Sequence, residues 1–388
     1  MNARSLQGRT CLFFVRILQI NSARTFAGGE RHFADLANAL RQRGHEVYAA
    51  LAPDSPLTKT LNALPTQNII NVRMRNALDL GSAIELARVI RDNRIEIVHA
   101  HLARDYTLAA FAVRKQGGAR LVFTRHLLLP LNKFHRITFR SADCVIAVSE
   151  SVARRLKEQK IFPHDKIRVV LNGIETEQFN SQARSSSSAG YFSNLSLSGA
   201  AHLVGITGEL REHKGQEDFV RAAAVVRKRF PDAHFLIAGE DRSEKREFRA
   251  RLDDLISMLK LEGHVHFVGW LESVAEFLFA LDVFVSASRT EPFGLAIVEA
   301  MASGLGVVAT KSEGAREIIE DDVSGKLVPI GDAEKMAEAI CGLLSDEHER
   351  KHLGENARLA ARKRFDIKRM VDETEAIYDE LINEMNCV

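Results

Sequence analysis

The chain has 388 residues, of which 46% are hydrophobic and 27% charged, with 24 glycines and 8 prolines. At roughly 150 residues per domain this length suits two or three domains, and the apolar share excludes a disordered or collagen-like chain. Lys plus Arg (53) against Asp plus Glu (51) leaves a net charge of +2, which excludes bulk electrostatic attraction to nucleic acid.

Near the start, the apolar run Cys11–Val15 stops at Arg16. It is too short for a secretory segment, and no run approaches the roughly 18 residues that span a bilayer. Val15–Ile20 reads as the first strand, followed by Gly28-Gly29 and a helix over about 30–43 with Phe33, Leu36, Ala37 and Leu40 on one stripe. Gly44 stands where a left-handed stop is expected. Strand 46–51 comes next. Helix 81–93 then precedes strand 95–99, helix 104–116 precedes strand 120–124, and helix 149–159 precedes strand 167–171. Strands separated by helices pair in parallel through right-handed crossovers. The stretch 181–200 holds eight serines and reads as a linker or surface loop. Alternation resumes with strand 202–207 and helix 215–230. Strands near 233–238, 265–268, 282–286 and 305–309 follow, with helices near 244–260, 272–280, 294–304 and 313–320 between and after them. The last sixty residues are mostly helical in pattern. The reading is therefore α/β, with two doubly wound domains and a ligand site expected in the cleft between them, at the carboxyl ends of their strands. The boundaries are 1–180, a linker at 181–200, 201–366, and a C-terminal helix at 367–388. Cys11, Cys144, Cys341 and Cys387 form no Cys-x-x-Cys pair, so neither a disulfide framework nor a zinc ribbon is expected and the cytoplasm is the natural compartment.

The strongest chemical signal is E-P-F-G-L-A-I-V-E, Glu291 to Glu299, directly after a strand. A helix opening near Gly294 points free N–H groups at an anion. Glu291 sits at the mouth of that site, while Glu299 lies further in, where a carboxylate can accept from a diol. A cap and a salt-bridge partner are the plainer roles for this pair. A second strand delivers Gly208-Glu209-Leu210-Arg211-Glu212-His213-Lys214-Gly215. There Lys214 supplies a point charge and Arg211 a forked donor, or the segment is a solvated turn. Gly28 and Gly29 lack the full G-x-G-x-x-G fingerprint, and such a pair alone is more often a tight turn. His99 and His101 end one strand and His126 follows the next. With no neighbouring Cys or carboxylate to complete a ligand set, no metal site is assigned. Leu127-Leu128-Leu129-Pro130-Leu131, followed by Lys133, His135, Arg136 and Arg140, reads either as a face for peripheral membrane contact or as core packing.

These segments resemble the family 4 glycosyltransferases, retaining nucleotide-sugar-dependent enzymes of GT-B fold. The resemblance rests on F-A-G-G-E-R-H-F, R-G-H-E-V, I-V-H-A-H, V-I-A-V-S-E and L-N-G-I-E in the first half. The second half adds G-E-L-R-E-H-K-G-Q, F-L-I-A-G-E, V-H-F-V-G-W, E-P-F-G-L-A-I-V-E-A-M-A-S-G and G-K-L-V. It implies that Glu291 contacts the donor sugar and Glu299 the ribose. Amides around Phe293, Gly294 and Leu295 bind diphosphate or sugar, and Lys214 neutralises the leaving diphosphate. Gly28 and Gly29 place the first loop, while His101, and less directly His126, lie near the reacting sugar. It further implies a UDP- or GDP-sugar donor rather than a resident cofactor or metal, and a glycan or lipid-linked acceptor in envelope polysaccharide or lipopolysaccharide synthesis. The last helix, about 367–385, is expected to return to the first domain. Two positions depart from the family pattern: Glu209 replaces the usual arginine, and Gly306 replaces a proline. A carboxylate beside a diphosphate is repulsive. Glu209 therefore favours, as a competing reading, a nucleotide-sugar-binding protein of weak catalysis; a nucleotide-sugar epimerase on the same fold is a third.

Overall fold

The computed structural model describes residues 14–131, 139–180, 202–271 and 273–386. The serine-rich stretch 181–200 lies outside them, as do Lys133, His135, Arg136, Cys11 and Cys387. The chain forms two compact units. The first comprises residues up to 147, 155–168 and 371 onward; the second comprises 148–154 and 169–370.

In the first unit the strands are β1 (Arg16–Asn21), β2 (Glu46–Leu51), β3 (Ile69–Asn71), β4 (Ile97–Ala100), β5 (Arg120–Arg125), β6 (Cys144–Ala147) and β7 (Ile167–Val169). They make one seven-stranded sheet in the order β3-β2-β1-β4-β5-β6-β7. Pairing is parallel from β3 across to β6, with Gln19 opposite His99 and Ala49. Strands such as R-I-L-Q-I-N are buried almost throughout, as expected for a sheet covered on both faces. The helices α1 (Gly28–Gln42), α2 (Leu80–Asp92) and α3 (Ala103–Gln116) alternate with these strands, while α4 (Glu150–Gln159) begins in the second unit and from Arg155 belongs to the first. Phe33, Leu36, Ala37 and Leu40 of α1 are fully buried, and each large side chain removed from water contributes about 1.5–3 kcal/mol. Gly44 takes φ +99° just after that helix, a conformation that costs glycine little. Asp79 caps α2 by accepting from Ser82 N–H at 3.2 Å.

The second unit has β8 (His202–Thr207), β9 (Ala233–Ala238), β10 (Val265–Gly269), β11 (Val283–Ser286), β12 (Gly306–Thr310) and β13 (Lys326–Val328). Its sheet order is β10-β9-β8-β11-β12-β13, all parallel. The helices are α5 (Gln216–Arg229), α6 (Glu247–Met258), α7 (Val274–Phe279), α8 (Leu295–Ala302), α9 (Glu313–Ile318), α10 (Ala333–Ser345) and α11 (Glu347–Arg364). Phe219, Ala222 and Val226 of α5 pack with Phe235, Ile237, Val285 and Ile340 in one core. The last helix, α12 (Ile367–Asn386), begins in the second unit, and from Val371 it belongs to the first.

Each sheet reverses its strand order once, beside its first strand: between β1 and β4, and between β8 and β11. Loops leaving the carboxyl ends of such a pair diverge and leave room for a ligand. Cys144 and Cys341 are free, buried thiols.

Candidate active site

The predicted residues fall at these two reversals. In the second unit, β8 runs into Gly208, whose φ is +145°. The Lys214 side chain lies over Gly208, within 3.7 Å of where a Cβ would stand. Lys214 closes a single turn over Glu212–Lys214, and Gly215 at φ +70° starts α5. A Cβ on Gly215 would be 2.0 Å from Ala287 O, so only glycine lets this loop sit against the end of β11. His213 O accepts from Arg289 N–H at 2.8 Å, tying the loops after β8 and β11 together.

That seam brings Lys214 Nζ to 2.7 Å from Glu291 Oε2. Ser288 Oγ donates to the same carboxylate oxygen at 3.2 Å. The pair is largely but not wholly covered, with side chains 26% and 15% exposed, so a charged ligand can still reach it. Gly294 caps α8 at φ +118°, which leaves the first N–H groups of Leu295 and Ala296 without intrahelical acceptors. Gly294 and Glu291 are close: a Cβ on Gly294 would lie 3.4 Å from Glu291 Cγ. Phe293 is buried and meets Phe365 edge-on at 5.8 Å. Gly314 N–H donates to Glu291 O at 2.8 Å, and a Cβ on Gly314 would reach within 1.8 Å of Phe293 O. Ser149 Oγ donates to Pro292 O at 2.7 Å. The Pro-Phe-Gly turn is therefore held from several sides. Glu299 sits in the second turn of α8 and is 5% exposed.

Glu209 and Arg211 pair with each other, Arg211 Nη2 to Glu209 Oε1 at 2.8 Å. The carboxylate that stands where an arginine is usual thus holds the guanidinium that the sequence offered as the second cation. Arg289 is a further cation at this edge and forks onto Asp218 at 3.0 and 2.7 Å. Neither Ser288 nor Arg289 was singled out from the sequence, although both lie within three residues of Glu291.

In the first unit, Gly28 and Gly29 open α1, and Glu30 accepts from Ala27 N–H at 3.1 Å. A Cβ on Gly29 would touch the His126 ring at 3.5 Å. Beside the ends of β1 and β4 is a concavity of about 450 Å3 lined by Ala23, Arg24, Thr25, Glu30, Leu102, Ala103 and Arg104. His101 at the end of β4 is buried, and its Nε2 lies 2.5 Å from Gln19 Oε1. His99 is committed on both sides, with Nδ1 at 2.6 Å from Tyr378 Oη and Nε2 at 2.6 Å from Thr124 Oγ1. His99 is thus structural, while His101 keeps Nδ1 buried without a hydrogen-bond partner, as His126 keeps Nε2. Burial, then the neighbouring histidines, hold His101 and His126 well below the usual imidazole range, so both rings are neutral. His32 on α1 completes a group the sequence did not reveal: one ring nitrogen from each of His32, His101 and His126 lies within 4.8 Å of the others.

Residues 26–178 match the family described as "Glycosyltransferase Family 4", and residues 193–360 match "Glycosyl transferases group 1". The chain is 30% identical over 341 residues to the phosphatidyl-myo-inositol mannosyltransferase of Mycolicibacterium smegmatis, covering 82% of each. It is 28% identical to the lipopolysaccharide core biosynthesis glycosyltransferase LpsE of Rhizobium meliloti, over 84% of this chain and 88% of that one. Among solved structures, HepE of Anabaena in complex with UDP superposes with a TM-score of 0.83 at 22% identity, over 94% of this chain and all of that one. With likenesses that span both sheets, the chain belongs to the family 4 glycosyltransferases and has the GT-B fold.

Proposed function

We propose that this glycosyltransferase moves a sugar, with retention of configuration, from a UDP- or GDP-sugar to a glycan or lipid-linked acceptor of the cell envelope. The observation that carries the reading is the Lys214–Glu291 pair, which joins the two strand-end loops at the β8/β11 reversal. In the reaction the bond from the anomeric carbon to the diphosphate breaks, and a bond to the acceptor oxygen forms on the same face. The acceptor proton passes to the departing phosphate. The largest charge to stabilise is therefore on the leaving group. Lys214 and the Leu295 end of α8 serve it, which is why no metal is required for this step. Glu291 holds hydroxyls of the donor sugar rather than attacking its carbon, and Glu299 holds the ribose. On the first unit, His101, His126 and the Gly28-Gly29 turn serve sugar and acceptor. UDP bound by HepE and the lipopolysaccharide role printed for LpsE support the donor class and the envelope setting. Leu127 and Leu129, 48% and 67% exposed, support contact with a membrane surface. Among the described residues no helix is long and apolar enough to cross one.

The Glu209–Arg211 pair favours a second reading, in which the nucleotide sugar is bound but transferred weakly, because neither side chain then offers net positive charge. Thermal-shift screening with UDP- and GDP-sugars identifies the donor. Product analysis with that donor, including the anomeric configuration formed, then separates the readings. Transfer lost in Lys214→Ala supports the proposal, whereas donor binding with no transfer or hydrolysis in the native protein overturns it.

A further inference from the structure

We propose that the concavity at the β1/β4 reversal recognises the acceptor by an acidic group, a carboxylate or a phosphate, which Arg24 and Arg104 hold. The inference rests on the reading of the chain as a transferase whose acceptor binds the first unit, and it names a chemistry that this acceptor carries.

The lining carries the inference. At about 450 Å3 the concavity has the size of a small-molecule cleft, which runs from roughly 300 to 1,000 Å3. Beside small and apolar residues its lining holds Thr25 and the charged side chains Arg24, Arg104 and Glu30. Glu30 is 7% exposed and accepts from Ala27 N–H at 3.1 Å in the cap of α1, so its carboxylate is already engaged. Arg24 and Arg104 are both exposed, and among the described residues neither takes part in an ion pair.

The first of these cations to be fixed is Arg104. Its Nε donates to Ser22 Oγ at 2.7 Å and its Nη2 to Ser22 O. Ser22 is itself clamped, its N–H and hydroxyl donating to the two oxygens of Asp105 at 2.8 and 2.5 Å. Asp105 is 1% exposed and is not part of the lining, so it steadies the arginine through Ser22. Ser55 Oγ donates to Ala23 O at 2.9 Å and pins the next residue. One edge of the Arg104 guanidinium is thereby used. The other edge, with the Nη1 donors, is left for a ligand, and a planar oxyanion takes such an edge with two parallel hydrogen bonds. Arg24 stands two residues after Ser22 on the same pinned loop, so the second cation is delivered with little further ordering of the backbone.

Electrostatics selects the ligand. Guanidiniums donate and never accept, and two of them on one concavity repel each other until an anion lies between them. A neutral sugar gives them no counter-charge. The donor's phosphates are assigned to Lys214 and the Leu295 end of α8 in the second unit, which leaves the acid to the acceptor.

The test is calorimetric titration of the full-length protein, in phosphate-free buffer, with three matched probes: glucose, glucuronate and glucose 6-phosphate. At least one of the acids should bind about tenfold more tightly than glucose, and the difference should shrink as salt is added. The preferred acid tells carboxylate from phosphate. Its affinity should fall about fivefold or more in Arg24→Gln and in Arg104→Gln, while the dissociation constant for UDP or GDP stays within about twofold of native. Glutamine keeps a donor for Ser22 without the charge. Thermal unfolding reports whether each variant is folded, and Arg24→Gln, at an exposed loop position, carries the test alone if Arg104→Gln is not. Equal affinity for glucose and both acids, no binding of either acid, or acid binding indifferent to both arginines overturns the proposal. So does a nucleotide constant weakened as much as that of the acid, which would place the arginines on the donor phosphates. Binding is read here without transfer, so these failures are distinct from a failure of the transferase reading, which shows only in product analysis.

Discussion

Lys214 and Glu291 are 77 residues apart in sequence, yet their Nζ and Oε2 atoms are 2.7 Å apart at the end of the second sheet. Each therefore arrives at the site already neutralised by the other. On the proposed reading, an incoming diphosphate competes with Glu291 for the ammonium, and a sugar hydroxyl that donates to Glu291 releases Lys214 toward the phosphate. Lys214→Ala should lower turnover at least about tenfold, the scale of losing one charged transition-state donor. Lys214→Arg should recover part of it. Unchanged turnover with a raised KM removes the leaving-group role.

Glu209 offers the converse test. Glu209→Gln abolishes a carboxylate near the proposed diphosphate and frees Arg211 from its 2.8 Å pairing. The pair is partly exposed and screened, so the gain is about 1 kcal/mol at most. The dissociation constant for UDP or GDP, measured by calorimetry at low salt, should tighten by about threefold to fivefold. An unaltered constant means that Glu209 does not face the ligand.

Gly314→Ala places a methyl group 1.8 Å from Phe293 O. Either α9 or the Pro-Phe-Gly turn must move, at a cost of about 1–3 kcal/mol. A lowered denaturation midpoint together with weakened donor binding is expected. Native stability and binding would show that the turn has more room than the geometry allows.

Burial holds His99, His101 and His126 well below 6.5 in the folded chain. The unfolded chain binds protons on these rings near 6.5 while the folded one does not. Their contribution to stability is thus complete above that value and drains away as the pH falls below it, by up to about 1.4 kcal/mol per pH unit for each ring. Asp105 acts in the opposite sense. Burial raises it from 3.8 to about 6, so its contribution grows as the pH falls through that window. Urea midpoints between about pH 7.5 and 5.5 should decline overall, and His99→Gln should flatten the decline. A midpoint independent of pH contradicts the neutral assignment.

If Leu127 and Leu129 meet a bilayer surface, Leu129→Glu should reduce co-sedimentation with anionic phospholipid vesicles several-fold while leaving the unfolding midpoint unchanged, since the side chain is 67% exposed. Equal pelleting of both proteins removes the proposed contact.

Much of this architecture was legible because buried parallel strands read as short apolar runs between amphipathic helices. The loop–helix junctions at Gly215 and Gly294 could be located from Gly and Pro alone. Three strands were not: Ile69–Asn71, Cys144–Ala147 and Lys326–Val328 are three or four residues long, too short to establish a period. Helix 244–260 shortens to Glu247–Met258, between Arg246 and Lys260, which turn left-handed at φ +49° and +54°. At the candidate site, sequence spacing located Lys214 and Glu291 separately but not their pairing. His32 looked like any polar residue of a helical first turn, since its approach to His101 and His126 depends on three different elements meeting. Gln19 carried a faint signal, a lone amide in an otherwise apolar strand interior. Tyr378 carried none, being contributed from 359 residues away.

The return of α12 means that the first unit is not a contiguous stretch of gene. A fragment ending at residue 180 loses Tyr378 from His99 and Glu375 from His45 and Arg43, stripping its sheet of a covering helix. Dissection at the apparent domain border therefore yields an incomplete half. Producing that half alone requires that the segment from Val371 onward be supplied with it.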